Sequence, residues 1–175
     1  MVKHTRTLCL TAYNMAAYIL DTNILIRSKN DMPFDLWPTF WNKMRQMIVN
    51  GQVFSCNHVK AEIDKGKDDL TEWINNNAPD TFYIPADGDV MTQYAATQRW
   101  ANSIPSYKPE ALKDFAIKAD AYLIATAKAK GLTLVTYERS SPYSQNRVMI
   151  PDACSSLGVR CCDLNTILRE LGVTI

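Results

Sequence analysis

The stretch Ala17-Tyr18-Ile19-Leu20-Asp21-Thr22-Asn23 places a short, unbroken apolar run directly before an acid. Comparable apolar runs occur at residues 52–55, 81–84, 132–136 and 158–161. These runs are continuous rather than alternating, which is typical of strands covered on both faces in a parallel sheet. The pattern therefore predicts a sheet of short parallel strands, and the first of them ends at Asp21.

Between these runs, apolar residues recur at the three- and four-residue spacings of helices. The predicted helices cover residues 38–50, 58–64, 70–74, 87–102, 120–130 and 163–171. Gly51, Gly131 and Gly172 are natural stops for three of them. Strands that alternate with helices in this way predict an α/β sandwich built around a mainly parallel sheet.

The composition is that of one globular domain. The chain has 175 residues, 47% of them hydrophobic, and a formal net charge of +1. This balance excludes a disordered chain and a polybasic nucleic-acid arm, and no apolar run is long enough to span a membrane. We expect residues 1–14 to be an N-terminal extension outside the fold and residues 15–175 to form a single domain. The five cysteines lack metal-ligand spacing, which indicates reduced thiols in a cytoplasmic protein.

Four acids stand at related places in the predicted fold. Asp21 directly follows the first strand, and Glu62 lies in the helix after the second strand. Asp120 stands where an apolar helix begins, and Glu138 comes two residues after the strand at 134–136. Because the carboxyl ends of parallel strands open into one crevice, we expect these four acids to meet there.

Four carboxylates in one crevice need positive charge beside them, because like charges repel and raise one another's pKa. Either basic side chains or cations can supply it. Oxygen ligands of this kind suit Mg²⁺ or Mn²⁺, and such an ion can bind a phosphodiester and assist its hydrolysis. Metal-assisted phosphodiester hydrolysis is the reaction that the pattern favours.

Each acid also has an ordinary structural explanation. Asp21 could be a helix N-cap, and Glu62 could lie on a solvated helix face among lysines. Asp120 could also be a cap, although an unpaired acid in an apolar helix is costly and favours a function. Glu138 taken alone is a weak signal. The joint pattern of the four carries the hypothesis.

Four segments resemble the PIN-domain superfamily of ribonucleases, at residues 18–23, 59–63, 119–127 and 134–138. The third segment is the most specific match, because an Asp there opens a helix of small residues. The sequence is closest to a PIN-like subgroup of small bacterial proteins that carry Glu at the fourth acid. That subgroup also has an Ile-Pro-Asp-x-Cys element, here Ile150-Pro151-Asp152-Ala153-Cys154.

The resemblance implies a three-layer α/β/α fold and a Mg²⁺- or Mn²⁺-dependent endoribonuclease, in many relatives the toxin of a VapC-type toxin–antitoxin pair. It implies an RNA substrate, a cognate antitoxin protein and a homodimer as partners. It also implies roles for six residues: metal ligation and catalysis for Asp21, Glu62, Asp120 and Glu138, and orientation of ligands or waters for Asn23 and Thr136.

Two other functions remain open. A PIN-like module that binds RNA or a protein without catalysis is consistent with the nearly neutral net charge and with Glu138 at the fourth position. A phosphatase with Asp21 as its nucleophile is weakened by Asn23, which stands where such enzymes place a second Asp. Six basic residues flank the acid segments and either contact RNA phosphates or form a solvated surface: Lys60, Lys65, Lys67, Lys118, Arg139 and Arg147. Asp152 follows a proline and is predicted to cap a short turn, with an additional outer acid of the site as the alternative.

Overall fold

The structure is a computed structural model that describes residues 17–175. The predicted extension at residues 1–14 lies outside the described residues, so its separation from the domain stays a prediction. Within 17–175, no helix combines the length and the apolar character needed to cross a bilayer.

A sheet of five short parallel strands forms the centre of the described chain. The strands are β1 (Tyr18–Leu20), β2 (Val53–Cys56), β3 (Tyr83–Ile84), β4 (Thr133–Val135) and β5 (Cys161–Cys162). Their order across the sheet is β3-β2-β1-β4-β5. In the central pair, Tyr18 lies opposite Thr133 and Leu20 opposite Val135. The strand side chains of β1 are fully buried, as expected for a sheet covered on both faces.

Helices separate the strands and cover the sheet. They are α1 (Thr22–Asp31), α2 (Pro38–Val49), α3 (Asn57–Gly66), α4 (Asp69–Asn77), α5 (Gly88–Asn102), α6 (Pro109–Ile117), α7 (Ala119–Lys130), α8 (Ile150–Leu157) and α9 (Leu164–Glu170). The result is a three-layer α/β/α sandwich around a parallel sheet, which confirms the predicted fold class.

Helix α7 is the central helix of the core. It is buried almost all round, because small residues such as Ala121 and Ala125 alternate with Leu123 and Ile124 and leave little side chain to expose. A helix that is apolar on every side must lie inside the protein. Asp120 is therefore held in its first turn by the packing of the whole helix.

Three helices, one turn and the last strand differ from the sequence prediction, since β5 covers Cys161–Cys162 and the predicted run covers 158–161. Helices α1, α6 and α8 were not predicted, and residues Asp80–Phe82 form a 3₁₀ turn ahead of a strand of only two residues. The prediction for Asp152 is wrong: it lies inside α8, where its carboxylate accepts hydrogen bonds from the Ser140 hydroxyl and from the Ser141 N–H at 2.8 Å. It thereby fastens the β4–α8 loop instead of capping a helix.

Gly131 ends α7 in the left-handed region, with a φ of +67°. We expect Gly131→Ala to lower the free energy of unfolding by about 1 kcal/mol, because an L side chain is strained at positive φ. Chemical denaturation measures this. Gly88→Ala is the matched control, since Gly88 has an ordinary φ and open space around its Cβ position. Equal effects of the two substitutions would contradict the expectation that the positive φ at Gly131 disfavours an L side chain.

Candidate functional site

The sheet order places a crevice between β1 and β4. The chain runs outward from β1 to β2 and β3 on one side and to β4 and β5 on the other, so the connections diverge between β1 and β4. Such a divergence opens a cleft at the carboxyl ends of the strands, the usual ligand site of parallel sheets. Asp21 directly follows β1, and its N–H donates to the Val135 carbonyl at 3.0 Å. Thr136 directly follows β4.

The Thr136 hydroxyl links the two strand ends. It donates to Asp21 Oδ2 at 2.7 Å and accepts from Asn23 Nδ2 and from the Glu138 N–H, both at 3.0 Å. Asn23 Oδ1 accepts from the Tyr137 N–H at 3.0 Å. The Thr136 hydroxyl therefore contacts the Asp21 carboxylate, while Asn23 holds Thr136 and the backbone that precedes Glu138.

Asp21 is the most perturbed acid of the site. It is 4% exposed, and burial raises the pKa of its carboxyl from 3.8 to about 7. The charges of Asp120 and Glu138 raise this pKa further, while the Thr136 hydrogen bond lowers it. Asp21 occupies the N-cap position of α1 but makes no capping hydrogen bond there. The Asn23 N–H lowers the pKa of this carboxyl, but no capping hydrogen bond of normal geometry offsets its burial.

Asp120 lies in the first turn of α7, and its side chain is 12% exposed. Burial and the neighbouring charge of Glu138 raise the pKa of its carboxyl, and the positive charge of Arg147 opposes them. The N-cap position of α7 belongs to Lys118, so Asp120 is not a cap either. These mutual effects place Asp21, Asp120 and Glu138 in one electrostatic cluster.

Glu62 joins the site from α3 and is held by two donors. Its Oε2 accepts from the Thr22 hydroxyl at 2.5 Å, and its Oε1 accepts from the Ala119 N–H at 3.2 Å. Its charge also raises the pKa of Asp120. Glu62 therefore points at the starts of α1 and α7, which argues against the solvated helix face that its lysine neighbours suggested.

Glu138 has both carboxylate oxygens engaged. Oε1 accepts a charged hydrogen bond from Arg147, and Oε2 accepts from the Ile150 N–H at 2.9 Å. Its side chain is only 7% exposed. The Arg147 guanidinium also reaches Asp120 Oδ2 at 3.5 Å and therefore lies between two acids of the cluster.

The sequence named Arg147 only as one of six basic residues near the acids. Among the described residues it is the one that forms ion pairs with the predicted site acids, whereas Lys60 pairs with Asp64 and Lys118 with Asp114 on the surface. Four acids of like charge imply that some basic group lies beside them, but the sequence alone does not say which one. The Thr22 and Ile150 contacts had no signal in the sequence.

The carboxylates of the site suit a hard cation such as Mg²⁺, but they are not arranged for all four to bind it together. Over residues 17–175, no group of three or more His, Cys, Asp or Glu side chains is arranged to hold a metal ion. Mg²⁺, however, is commonly bound through one or two protein carboxylates with waters completing the shell. Asp21 and Asp120 are the acids suited to such a site, since both are buried and neighbouring negative charge raises the pKa of each carboxyl. Glu138 could join them only if Arg147 moved away.

A cleft of about 370 Å³ lies beside Glu138. Thr136 and Glu138 line it together with Ser140, Ser155, Cys161 and Asp163, and no lysine or arginine contributes to its wall. The cleft lies between the ends of β4 and β5 and helix α8, and of the four predicted acids Glu138 is the one that lines it.

Comparison with known proteins places the chain in a family. One chain of the crystal structure of VapBC2 from Rickettsia felis, bound to a DNA fragment from their promoter, matches with a TM-score of 0.52 at 15% sequence identity. The match covers 84% of this chain and 98% of that chain. No curated protein matches. The family model described as domain of unknown function DUF4411 matches residues 18–175. The chain therefore belongs to the DUF4411 family, and its three-layer α/β/α sandwich is PIN-like.

Proposed function

We propose that this protein is a Mg²⁺- or Mn²⁺-dependent endoribonuclease and the toxin of a toxin–antitoxin module. The observation that supports the proposal is that Asp21 and Asp120 are both buried acids of one site and that the charges of Asp120 and Glu138 raise the pKa of Asp21. A buried, mutually repelling pair of carboxylates is stabilised by a divalent cation. The PIN-like fold agrees with this reading.

In this proposal Asp21 and Asp120 hold the ion, with Glu62 and Glu138 as further acids of the site. When bound, the ion would lower the pKa of a water and stabilise the charge that develops on the leaving oxygen. Thr136 orients Asp21 through its 2.7 Å hydrogen bond, and Asn23 fixes Thr136 in turn. Thr22 and the Ala119 N–H keep Glu62 turned towards the cluster.

The proposed partners follow from the structural neighbour and from the resemblance. VapBC2 is described as bound to a DNA fragment from their promoter, and the resemblance to VapC-type proteins implies an antitoxin partner. We therefore propose a cognate antitoxin protein, RNA as the substrate, a homodimeric assembly and a cytoplasmic site of action. Co-expression with the product of an adjacent small reading frame should yield a stable complex and suppress growth inhibition.

Asp120→Asn tests the enzymatic function. The substitution preserves the shape of the side chain but removes its charge, so we expect loss of Mn²⁺-dependent RNA cleavage and of growth inhibition, with an unchanged circular dichroism spectrum. Asp31→Asn is the matched control, because Asp31 is exposed and forms its ion pair with Arg27 on α1. Undiminished cleavage by purified Asp120→Asn protein would refute the proposal.

The second candidate is a PIN-like module that binds RNA or a protein without catalysis. The engagement of Glu138 and Asp120 by Arg147 favours it, since an internal guanidinium can neutralise the acids without an ion. Calorimetric titration with Mn²⁺ separates the two functions. The nuclease should take up Mn²⁺ in a manner that depends on Asp21 and Asp120, whereas the binding module should take up none.

A further inference from the structure

Arg147 is the positive group of the acid cluster. Its guanidinium contacts Glu138 Oε1 and lies 3.5 Å from Asp120 Oδ2. The two acids are buried, but the side chain of Arg147 is 53% exposed. The guanidinium thus reaches inward from the surface and covers two carboxylates that would otherwise repel each other.

The position of Arg147 lets its side chain move while its backbone stays in place. The segment between β4 and α8 is fastened by Asp152, which accepts from the Ser141 N–H at 2.8 Å, and by the Gln145 carbonyl, which accepts from the Lys108 N–H at 2.9 Å. The half-exposed arginine side chain extends from this anchored segment. Rotation about the side-chain bonds of Arg147 would carry the guanidinium from the acids to solvent without a rearrangement of the loop.

Asp120 and Glu138 cannot bind Arg147 and a divalent cation at the same time. Asp120 and Glu138 are buried and costly to leave without a counter-charge, so Arg147 leaves them only when another cation takes its place. A divalent cation on Asp120 would repel the guanidinium and remove the negative charge that attracts it. Once released, the planar guanidinium would be available to bind a phosphate through two parallel hydrogen bonds.

We propose that Arg147 alternates between two anionic partners: it occupies the Asp120–Glu138 pair in the absence of a divalent cation, and it binds an RNA phosphate once a cation has displaced it. This inference rests on the proposed nuclease function. It makes Arg147 a positioning residue for substrate and, at the same time, a competitor of the cation. Binding of the cation then also releases Arg147 to bind the substrate.

Arg147→Gln tests the exchange with a readout other than activity. Removing the competing charge should tighten Mn²⁺ binding, measured by calorimetry without RNA, by roughly tenfold. At saturating Mn²⁺ the same variant should raise KM for RNA severalfold and change kcat little, because a phosphate contact is lost. Arg147→Lys keeps the charge but not the planar fork, so it should restore the Mn²⁺ affinity of the unsubstituted protein more fully than its KM.

Arg160→Gln is the matched control. Arg160 is also 53% exposed and also pairs with a glutamate, Glu170, but away from the acid cluster. Arg160→Gln should change neither the Mn²⁺ affinity nor the KM for RNA. Unchanged Mn²⁺ affinity or unchanged KM in Arg147→Gln would overturn the exchange while leaving the nuclease function intact. Absence of Mn²⁺ uptake and of cleavage in the unsubstituted protein would instead refute the nuclease function itself.

Discussion

Asp21→Asn is expected to stabilise the metal-free protein at pH 8 by roughly 2 to 4 kcal/mol, because it removes a charge whose burial raises the pKa of that carboxyl to about 7. The same substitution should abolish Mn²⁺-dependent RNA cleavage. Asparagine keeps an oxygen that can accept from the Thr136 hydroxyl, so the local geometry is preserved. The expected result is a protein that is more stable and inactive.

The pH dependence gives the sign of this effect. The pKa of Asp21 is about 7 in the folded state against an ordinary 3.8, so between these values the folded protein holds a proton that the unfolded chain releases. The free energy of unfolding contributed by Asp21 therefore falls as the pH rises from about 4 to about 7 and stays low above that. Asp21→Asn should remove this slope, and its advantage should vanish near pH 4.

Urea denaturation at several pH values, with and without Mn²⁺, measures these changes. Mn²⁺ should stabilise the unsubstituted protein and not Asp21→Asn, since a ligand stabilises only the state that binds it. Asp163→Asn is the control: Asp163 is an exposed N-cap whose carboxyl pKa is lowered by hydrogen bonds from Thr166, so its replacement should not stabilise. If Asp21→Asn instead destabilised the protein at pH 8, the ionised Asp21 carboxylate would have to stabilise the folded state, which would contradict this prediction.

The sequence predicted the strands best where they are apolar and fully buried. β1, β2 and β4 appear within one residue of the predicted runs, because continuous apolar stretches of this kind are covered on both faces. Helix α1 was missed because it begins directly after β1 with no break or turn residue between them. Helix α8 has only 8 residues, and Pro151 in its first turn resembles a loop signal.

The acids of the site could be predicted from their places after strands, but their partners could not. Asp21, Thr136 and Asn23 follow the ends of β1 and β4, so their contact is a consequence of parallel pairing. Arg147 lies in a segment without regular structure, and no periodicity fixes where such a side chain points. Whether the four acids bind metal stays a prediction.

Thr136→Val is expected to lower the free energy of unfolding by roughly 3 to 5 kcal/mol. The buried Thr136 hydroxyl hydrogen-bonds three polar groups, and each buried polar group that loses its partner costs about 1–3 kcal/mol. Valine has nearly the shape of threonine, so packing is preserved. The hydrogen bond to Asp21 Oδ2 and those from Asn23 Nδ2 and the Glu138 N–H are lost together. Loss of the first should also raise the pKa of Asp21 further.

Thr136→Ser keeps the hydroxyl and loses only a methyl group, so it should cost about 1 kcal/mol, and the difference between the two variants measures the hydrogen bonds. The contribution of the Asp21 charge is obtained from the double variant. In the Asp21→Asn background, Thr136→Val should cost less at pH 8 than it does alone, because the lost donor no longer serves a carboxylate. Near pH 4, where Asp21 is protonated in either case, the two costs should converge. Equal costs for Thr136→Val and Thr136→Ser would show that the hydroxyl does not hold the strand ends together, and the orienting role of Thr136 would have to be abandoned.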